Sequence, residues 1–185
     1  MAEKVKLQNV RLAFPNLWSK DKYGKYSANF LMDKDSPAHK AIVAGVKKVI
    51  ETDAMGKSPG SKNLCFHPGS DKDNYDGYTD DNFYVSASRP EPFKPNQLIH
   101  RDKSPIETES VLYAGCYVNA VVNIWYQNNE HAKKVNAELV GIQFYKDGER
   151  FGRSATNIDD DDFDSLPDLE GEESDGNTEN VEDLF

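Results

Sequence analysis

Tyr113, Tyr117 and Trp125 fall at even separations in one strand-like segment, and Asn119 and Asn123 lie between the last two. Residues two apart on an extended chain share a face, so this set makes one surface of rings and amides. Unstacked nucleobases lie on such rings at about 1–3 kcal/mol per base whatever their identity, because every base has a π face. The asparagines add donors without strict preference for one base. The opposite face carries Leu112, Ala114, Cys116, Val118, Ala120, Val122 and Ile124, an unbroken apolar row that has to face a core. Tyrosine and tryptophan also favour strands for packing reasons alone. Gly115 in the strand interior shifts the balance, since it permits a tight curl or close approach of a ligand to the backbone. Tyr84, in a second strand-like segment, is a further stacking candidate. Arg89, Arg101, Lys103 and Lys133 are the candidates for phosphate contact.

The charge distribution points to the same class of ligand. Residues 158 to 185 hold thirteen Asp or Glu and no Lys or Arg, while residues 1 to 157 hold 22 Lys or Arg against 19 Asp or Glu. The body is therefore mildly basic, at +3, and carries a polyanionic tail. An acidic run of this kind is expected to be a disordered interaction tail. As a coil its 28 residues reach roughly 30 Å, against a radius of gyration of about 15 Å for the body. It can compete intramolecularly for any groove that binds an anion, and nucleic acid is the obvious anion. Phe185 adds nothing to solubility. Glu182, Asp183, Leu184 and Phe185 are the candidate partner-binding residues, offering an aromatic and a carboxylate to an apolar, basic-rimmed pocket.

Catalysis finds little support. A nuclease could use Asp159 to Asp162 for magnesium, but two-metal chemistry needs carboxylates held at fixed separation, which a flexible run cannot supply. His39, His67, His100 and His131 are scattered, with no His-x-x-x-His, no paired cysteines, no Gly-x-Ser-x-Gly and no phosphate-binding glycine loop. The Asp71 segment resembles a calcium loop only superficially, because Asp76 stands where that loop requires glycine. No enzyme, metal or cofactor is expected. Cys65 and Cys116 suit reduced thiols in a cytoplasm, and no apolar run is long enough to be a signal peptide or membrane span. The alternative reading is a DNA mimic that inhibits a host nucleic-acid enzyme. A mimic spreads charge over a rigid face, whereas here the charge sits in the tail.

One domain of residues 1–157 and a tail of 158–185 are expected. Val5 to Phe14 alternates in two phases, which predicts a bulge near Gln8 and Asn9. Tyr26, Ala28, Phe30 and Met32 form a second strand that pairs with the first as a hairpin. Ser36 as N-cap, Pro37 at the first helical position and the stripe Ala38, Ile42, Val46, Val49 predict a helix over about 37–52. Residues 53 to 81 read as a long polar loop, Phe83 to Ser88 as a strand, and Val111 to Tyr126 as a strand. The latter turns through Asn128–Lys134 into a return strand, Val135 to Tyr145, with a bulge near Gly141. An exposed β edge would allow a homodimer.

Four segments carry a resemblance: Val10 to Leu17 (VRLAFPNL), Tyr26 to Lys34 (YSANFLMDK), Tyr113 to Asn119 (YAGCYVN) and Leu139 to Gly148 (LVGIQFYKDG). In this order they resemble a family of phage single-stranded DNA-binding proteins, and the likeness spans most of residues 4 to 153. It implies a mainly β protein: an OB-type five-stranded antiparallel barrel with one capping helix and no catalysis. It also implies a role in phage DNA replication or recombination in the host cytoplasm, with replication or recombination proteins recruited by the tail. The helix follows the second strand here, whereas ordinary OB folds place it between the third and fourth.

Overall fold

The computed structural model describes residues 2–152 and 164–166. The candidates Asp159 to Asp162 and Glu182 to Phe185 lie outside the described residues. Among those described, the elements in order are β1 (Glu3–Asn16), β2 (Tyr26–Asp33), α1 (Pro37–Asp53), β3 (Phe66–Pro68), β4 (Asn82–Arg89), β5 (Leu98–Ile99), β6 (Tyr117–Asn128) and β7 (Lys133–Lys146). All seven strands join one sheet in the order β3-β4-β2-β1-β6-β7-β5. A further pairing of Ala87 and Ser88 on β4 with Ala137 and Glu138 on β7 closes five of them into a ring.

This is an OB-type ring, with two amendments to the expectation. The closing pair β4–β7 is parallel, so the barrel is not wholly antiparallel. The short strands β3 and β5 hang on its edges. The helix does sit between the second and third ring strands, β2 and β4, as the sequence reading placed it.

Local chemistry explains the elements. β1 carries one extra residue between Leu7, which pairs with Ala120, and Val10, which pairs with Val118. Asn9 occupies a positive φ there, at 54°. That bulge keeps Val5, Leu7, Val10 and Leu12 all buried although the sequence changes phase. In α1 the Ser36 hydroxyl accepts the His39 N–H at 3.2 Å, and Ala38, Ile42, Gly45, Val46 and Val49 are buried. The helix packs on β1, β6, β2 and β7 and closes one end of the ring. Gly45 lets it approach closely, since a β-carbon there would lie 2.5 Å from a Val5 methyl.

Two further expectations are corrected. The segment from Val111 is not one strand: Glu109–Val111 forms a 3-10 turn and β6 begins only at Tyr117. Gly115, at φ +107°, breaks the extended chain, and residues 149–151 cross directly over it. The long loop between Asp53 and Asp81 contains two 3-10 turns and β3. It also folds back to form a small second cluster in which Tyr78 and Tyr84 pack with Ala13, Leu31 and Phe151 on the outside of the ring.

Gly115 and Gly24 both have positive φ, but a β-carbon at Gly24 meets nothing within 4 Å, whereas at Gly115 it strikes the Glu149 carbonyl. We therefore expect Gly115→Ala to lower the unfolding free energy clearly more than Gly24→Ala, and by more than about 1 kcal/mol. Urea denaturation of the two variants checks this; equal losses would place the strap 149–151 outside the cooperative unit.

Candidate nucleic-acid interface

The outer surface of the ring is set by the same alternation that fills its core. On β1 the exposed Lys4 and Lys6 and the half-buried Arg11 point outward, opposite Asn123, Val121 and Tyr117 of β6 respectively. On β7 the cross-strand neighbours of Tyr117, Asn119, Asn123 and Trp125 are Lys146, Gln143, Glu138 and Asn136. Four of the stacking and amide candidates thus share one face, and cations flank it on both sides.

At one end of this face rings and cations alternate. The Arg11 guanidinium lies 4.1 Å from the centre of the Phe151 ring and 5.3 Å from that of Tyr117. The Lys146 ammonium lies 4.6 Å from Tyr117 and 5.8 Å from Tyr145, and Arg101 stands 5.4 Å from Tyr145. Arg11 is fixed by donating to two carbonyls, Gly115 O at 3.1 Å and Glu149 O at 2.6 Å. Its charge therefore stays available to an anion.

At the other end two clefts join. One of about 620 Å³ is lined by Lys25, Trp125, Tyr126, Gln127, Asn128, Asn129, Lys134 and Asn136. It shares Lys134 and Asn136 with a second, of about 190 Å³, that runs to Lys62, Asn63 and Ser86. Three lysines, an exposed tryptophan and several amides line the joined groove, and no carboxylate does among the described residues. It lies between the β1–β2 loop and the β6–β7 loop, the region where OB folds take oligonucleotides.

The remaining candidates are placed differently. Tyr84 is 6% exposed beneath Tyr78, so its ring offers no face to a base and packs instead. Burial pushes the Tyr78 phenol up to about 12 and raises that of Tyr84. Tyr113 lies before β6, off the platform; its hydroxyl donates to Asp147 Oδ1 at 2.7 Å, and Arg150 sits 4.5 Å over its ring. Asn119 accepts the Asn9 N–H at 2.9 Å and donates to Gln143 Oε1, and Asn123 donates to Glu138 Oε2, so both amides are engaged within the sheet. Arg89 caps the end of β4, donating to Glu91 O at 2.9 Å and reaching Leu139 O and Val140 O at 3.4 Å, with Phe93 4.8 Å beneath it. Arg101 donates to Tyr145 O at 3.0 Å. Lys103 is exposed at a positive φ of 71° in a turn, and Lys133 is exposed where β7 begins.

The sequence reading missed Lys4, Lys6, Arg11, Lys25, Lys62 and Lys146; Lys134 it named only beside Lys133 as a loop-tip lysine with a plausible phosphate partner. For Lys4, Lys6 and Arg11 a signal existed: once a bulge is placed at Gln8 and Asn9, the residues between the buried apolar ones of β1 are cationic. The others depend on which strands and loops the ring brings together. Among the described residues no group of three His, Cys, Asp or Glu is placed to hold a metal ion, and no helix is long and apolar enough to cross a membrane.

Residues 3–176 match the family model described as Enterobacter phage Enc34, ssDNA-binding protein. The chain belongs to that family. A relative from Acyrthosiphon pisum secondary endosymbiont phage 1, described as putative protein p50, is 38% identical over 194 residues, covering 92% of this chain and 97% of its own. The fold is that of the single-stranded DNA-binding protein from bacteriophage Enc34. The TM-score is 0.67 to that protein at 23% identity, covering 83% of this chain and 87% of the other. To the same protein in complex with ssDNA it is 0.70 at 24% identity, covering 80% and 89%.

Arg11 joins β1, the 149–151 strap and two rings at once, in a fork geometry that an ammonium cannot reproduce. We expect Arg11→Lys to lower stability by about 1–3 kcal/mol through lost charge-assisted bonds to carbonyls, as measured by urea denaturation. Unchanged stability would mean that Arg11 serves the outer surface alone.

Proposed function

We propose that this protein binds single-stranded DNA without sequence preference, coating it during phage DNA replication or recombination. The observation that carries this reading is the joined groove beside Trp125, where Lys25, Lys62 and Lys134 stand among amides with no lining carboxylate. The family membership supports it. Lysines that neutralise phosphates supply sequence-independent, salt-dependent affinity, and Trp125, 39% exposed, offers a face on which a base stacks whatever its identity. From there a strand follows the outer face of β6 past Val121 to Tyr117, where Arg11, Lys146 and Arg101 alternate with rings. At about 3.3 Å per residue, Trp125 and Tyr117 stand roughly 26 Å apart, room for several nucleotides.

The acidic segment after Ile158 completes the proposal. Thirteen carboxylates on a leash compete with the strand for the lysines, and DNA binding frees the segment to offer Glu182, Asp183, Leu184 and Phe185 to a replication or recombination partner. A competitor on the same chain acts through its effective concentration, so short oligonucleotides feel it most.

Trp125→Ala should weaken oligo-dT binding about 5- to 150-fold, the equivalent of one lost stack of about 1–3 kcal/mol, and Trp125→Phe should weaken it less. Fluorescence or electrophoretic titration at two salt concentrations checks both; failure of the full chain to bind oligo-dT at low salt would refute the function. Removing the residues after Ser165 should raise affinity for short oligo-dT at low salt, and the gain should shrink as salt rises. An unchanged affinity would defeat the competition model and leave the groove standing.

A further inference from the structure

A second concave surface lies on the other side of Arg11, and its charge is wrong for DNA. Phe14, Tyr75, Tyr78 and Phe151 wall a cleft of about 300 Å³, at the small end of ligand pockets and wide enough for one inserted side chain. Phe14 and Tyr75 are 43% and 47% exposed and meet edge to face at 5.1 Å. Phe14 occupies a bulge in β1 between Ala13 and Asn16 at φ 46°, a position where glycine is the ordinary residue. The backbone is strained, and the result is an exposed ring, an arrangement that clusters at functional sites.

The rim decides the occupant. Asp76 lines the cleft, and Asp71, Asp73, Asp80 and Asp81 are exposed elsewhere on the loop that forms it, against Lys72, whose ammonium lies 5.5 Å over the Phe14 ring, and Arg11, which stacks on Phe151. Such a rim repels a DNA strand and the acidic terminal segment alike, and favours a cationic guest with an apolar tip. The chain itself carries one. In the turn between β1 and β2, Tyr23 is 75% exposed and is surrounded in sequence by Lys20, Lys22 and Lys25. The Asp21 carboxylate holds the turn by accepting the Tyr23 and Lys25 N–H groups at 2.9 and 3.1 Å and the Ser27 hydroxyl at 2.7 Å. A finger ordered beforehand loses little freedom on docking.

We propose that the Lys20–Lys25 turn of one copy seats Tyr23 in the Phe14–Tyr75 cleft of the next. Two different patches then meet, a heterologous contact that builds an open row of molecules unless the rotation closes. Resting on the single-strand reading above, such a row would align neighbouring grooves along one DNA strand and make occupation of a long strand cooperative. The contact is charge-assisted, so it weakens as salt shortens the screening length.

The test uses the full-length chain and separates association from DNA binding. Sedimentation velocity without DNA, and titration of long poly-dT against a short oligo-dT that holds one copy, are run for five proteins: the native chain, Tyr23→Ser, Phe14→Gly, Lys22→Glu and Asp73→Lys. Phe14→Gly removes the ring and relieves the backbone, so its thermal midpoint should stay level or rise. Tyr23→Ser and Phe14→Gly should each abolish concentration-dependent association and reduce the preference for poly-dT over the short oligomer at least 10-fold, with one-copy affinity within about 3-fold of native. Lys22→Glu and Asp73→Lys should each weaken association, and their mixture should restore it. Association and poly-dT preference unchanged in Tyr23→Ser and Phe14→Gly would overturn the contact. So would a large loss of one-copy affinity in Tyr23→Ser, which would assign the finger to the DNA path. Absence of any oligo-dT binding by the native chain would refute the single-strand reading instead, and association lost in both variants would still establish the contact.

Discussion

One inserted residue in β1 governs both sides of the barrel wall. Between Leu7 and Val10 the chain takes an extra step that β6 does not. Without it, a strand of period two would turn Val10 and Leu12 toward solvent and Arg11 into the core, a slip that no apolar interior tolerates. With it, the buried row and the cationic row both continue past Asn9. The bulge is itself held from the outer face, where Asn119 accepts the Asn9 N–H. The amide that looks free for a nucleobase in the sequence is thus engaged in keeping the cations of β1 on the surface that needs them.

Much of this was legible in the sequence. The bulge, the β1–β2 hairpin, the helix with its Ser36 cap, the β6–β7 hairpin and the irregularity beside Gly141 all follow from local patterns that the structure bears out. Long-range closure was not legible. Nothing local to Ala87 or Ala137 shows that β4 and β7 meet in parallel, because both read as ordinary buried strand residues. The run from Val111 misled for a related reason. Its alternation is regular, but Gly115 is needed as a crossing point for the 149–151 strap, and a residue 34 positions away cannot be read from a period of two.

The candidate interface was half legible on the same terms. Aromatic residues on β6 were visible because their spacing is intrinsic to one strand. The lysines that accompany them come from the β1–β2 loop, the β3 approach and β7, and only closure of the ring gathers them. Tyr84 shows the opposite error. Its strand position is right for an outer face, but the loop before β4 folds back over that face and buries the ring under Tyr78. A polar loop of this composition looks like a surface excursion, yet its two tyrosines and Gly77, which leaves room for Phe151, make it a cover.

That cover separates two surfaces of opposite charge on a body whose net charge is small. Arg11 stands at the boundary, with Phe151 of the acidic cleft on one side and Tyr117 of the basic face on the other. Lysines line β1 and β7 while aspartates crowd the 71–81 loop, so the local field is attractive to a polyanion on the first side and repulsive on the second. The described body reaches Gly152, whose N–H donates to Asp76 on the acidic side of that boundary.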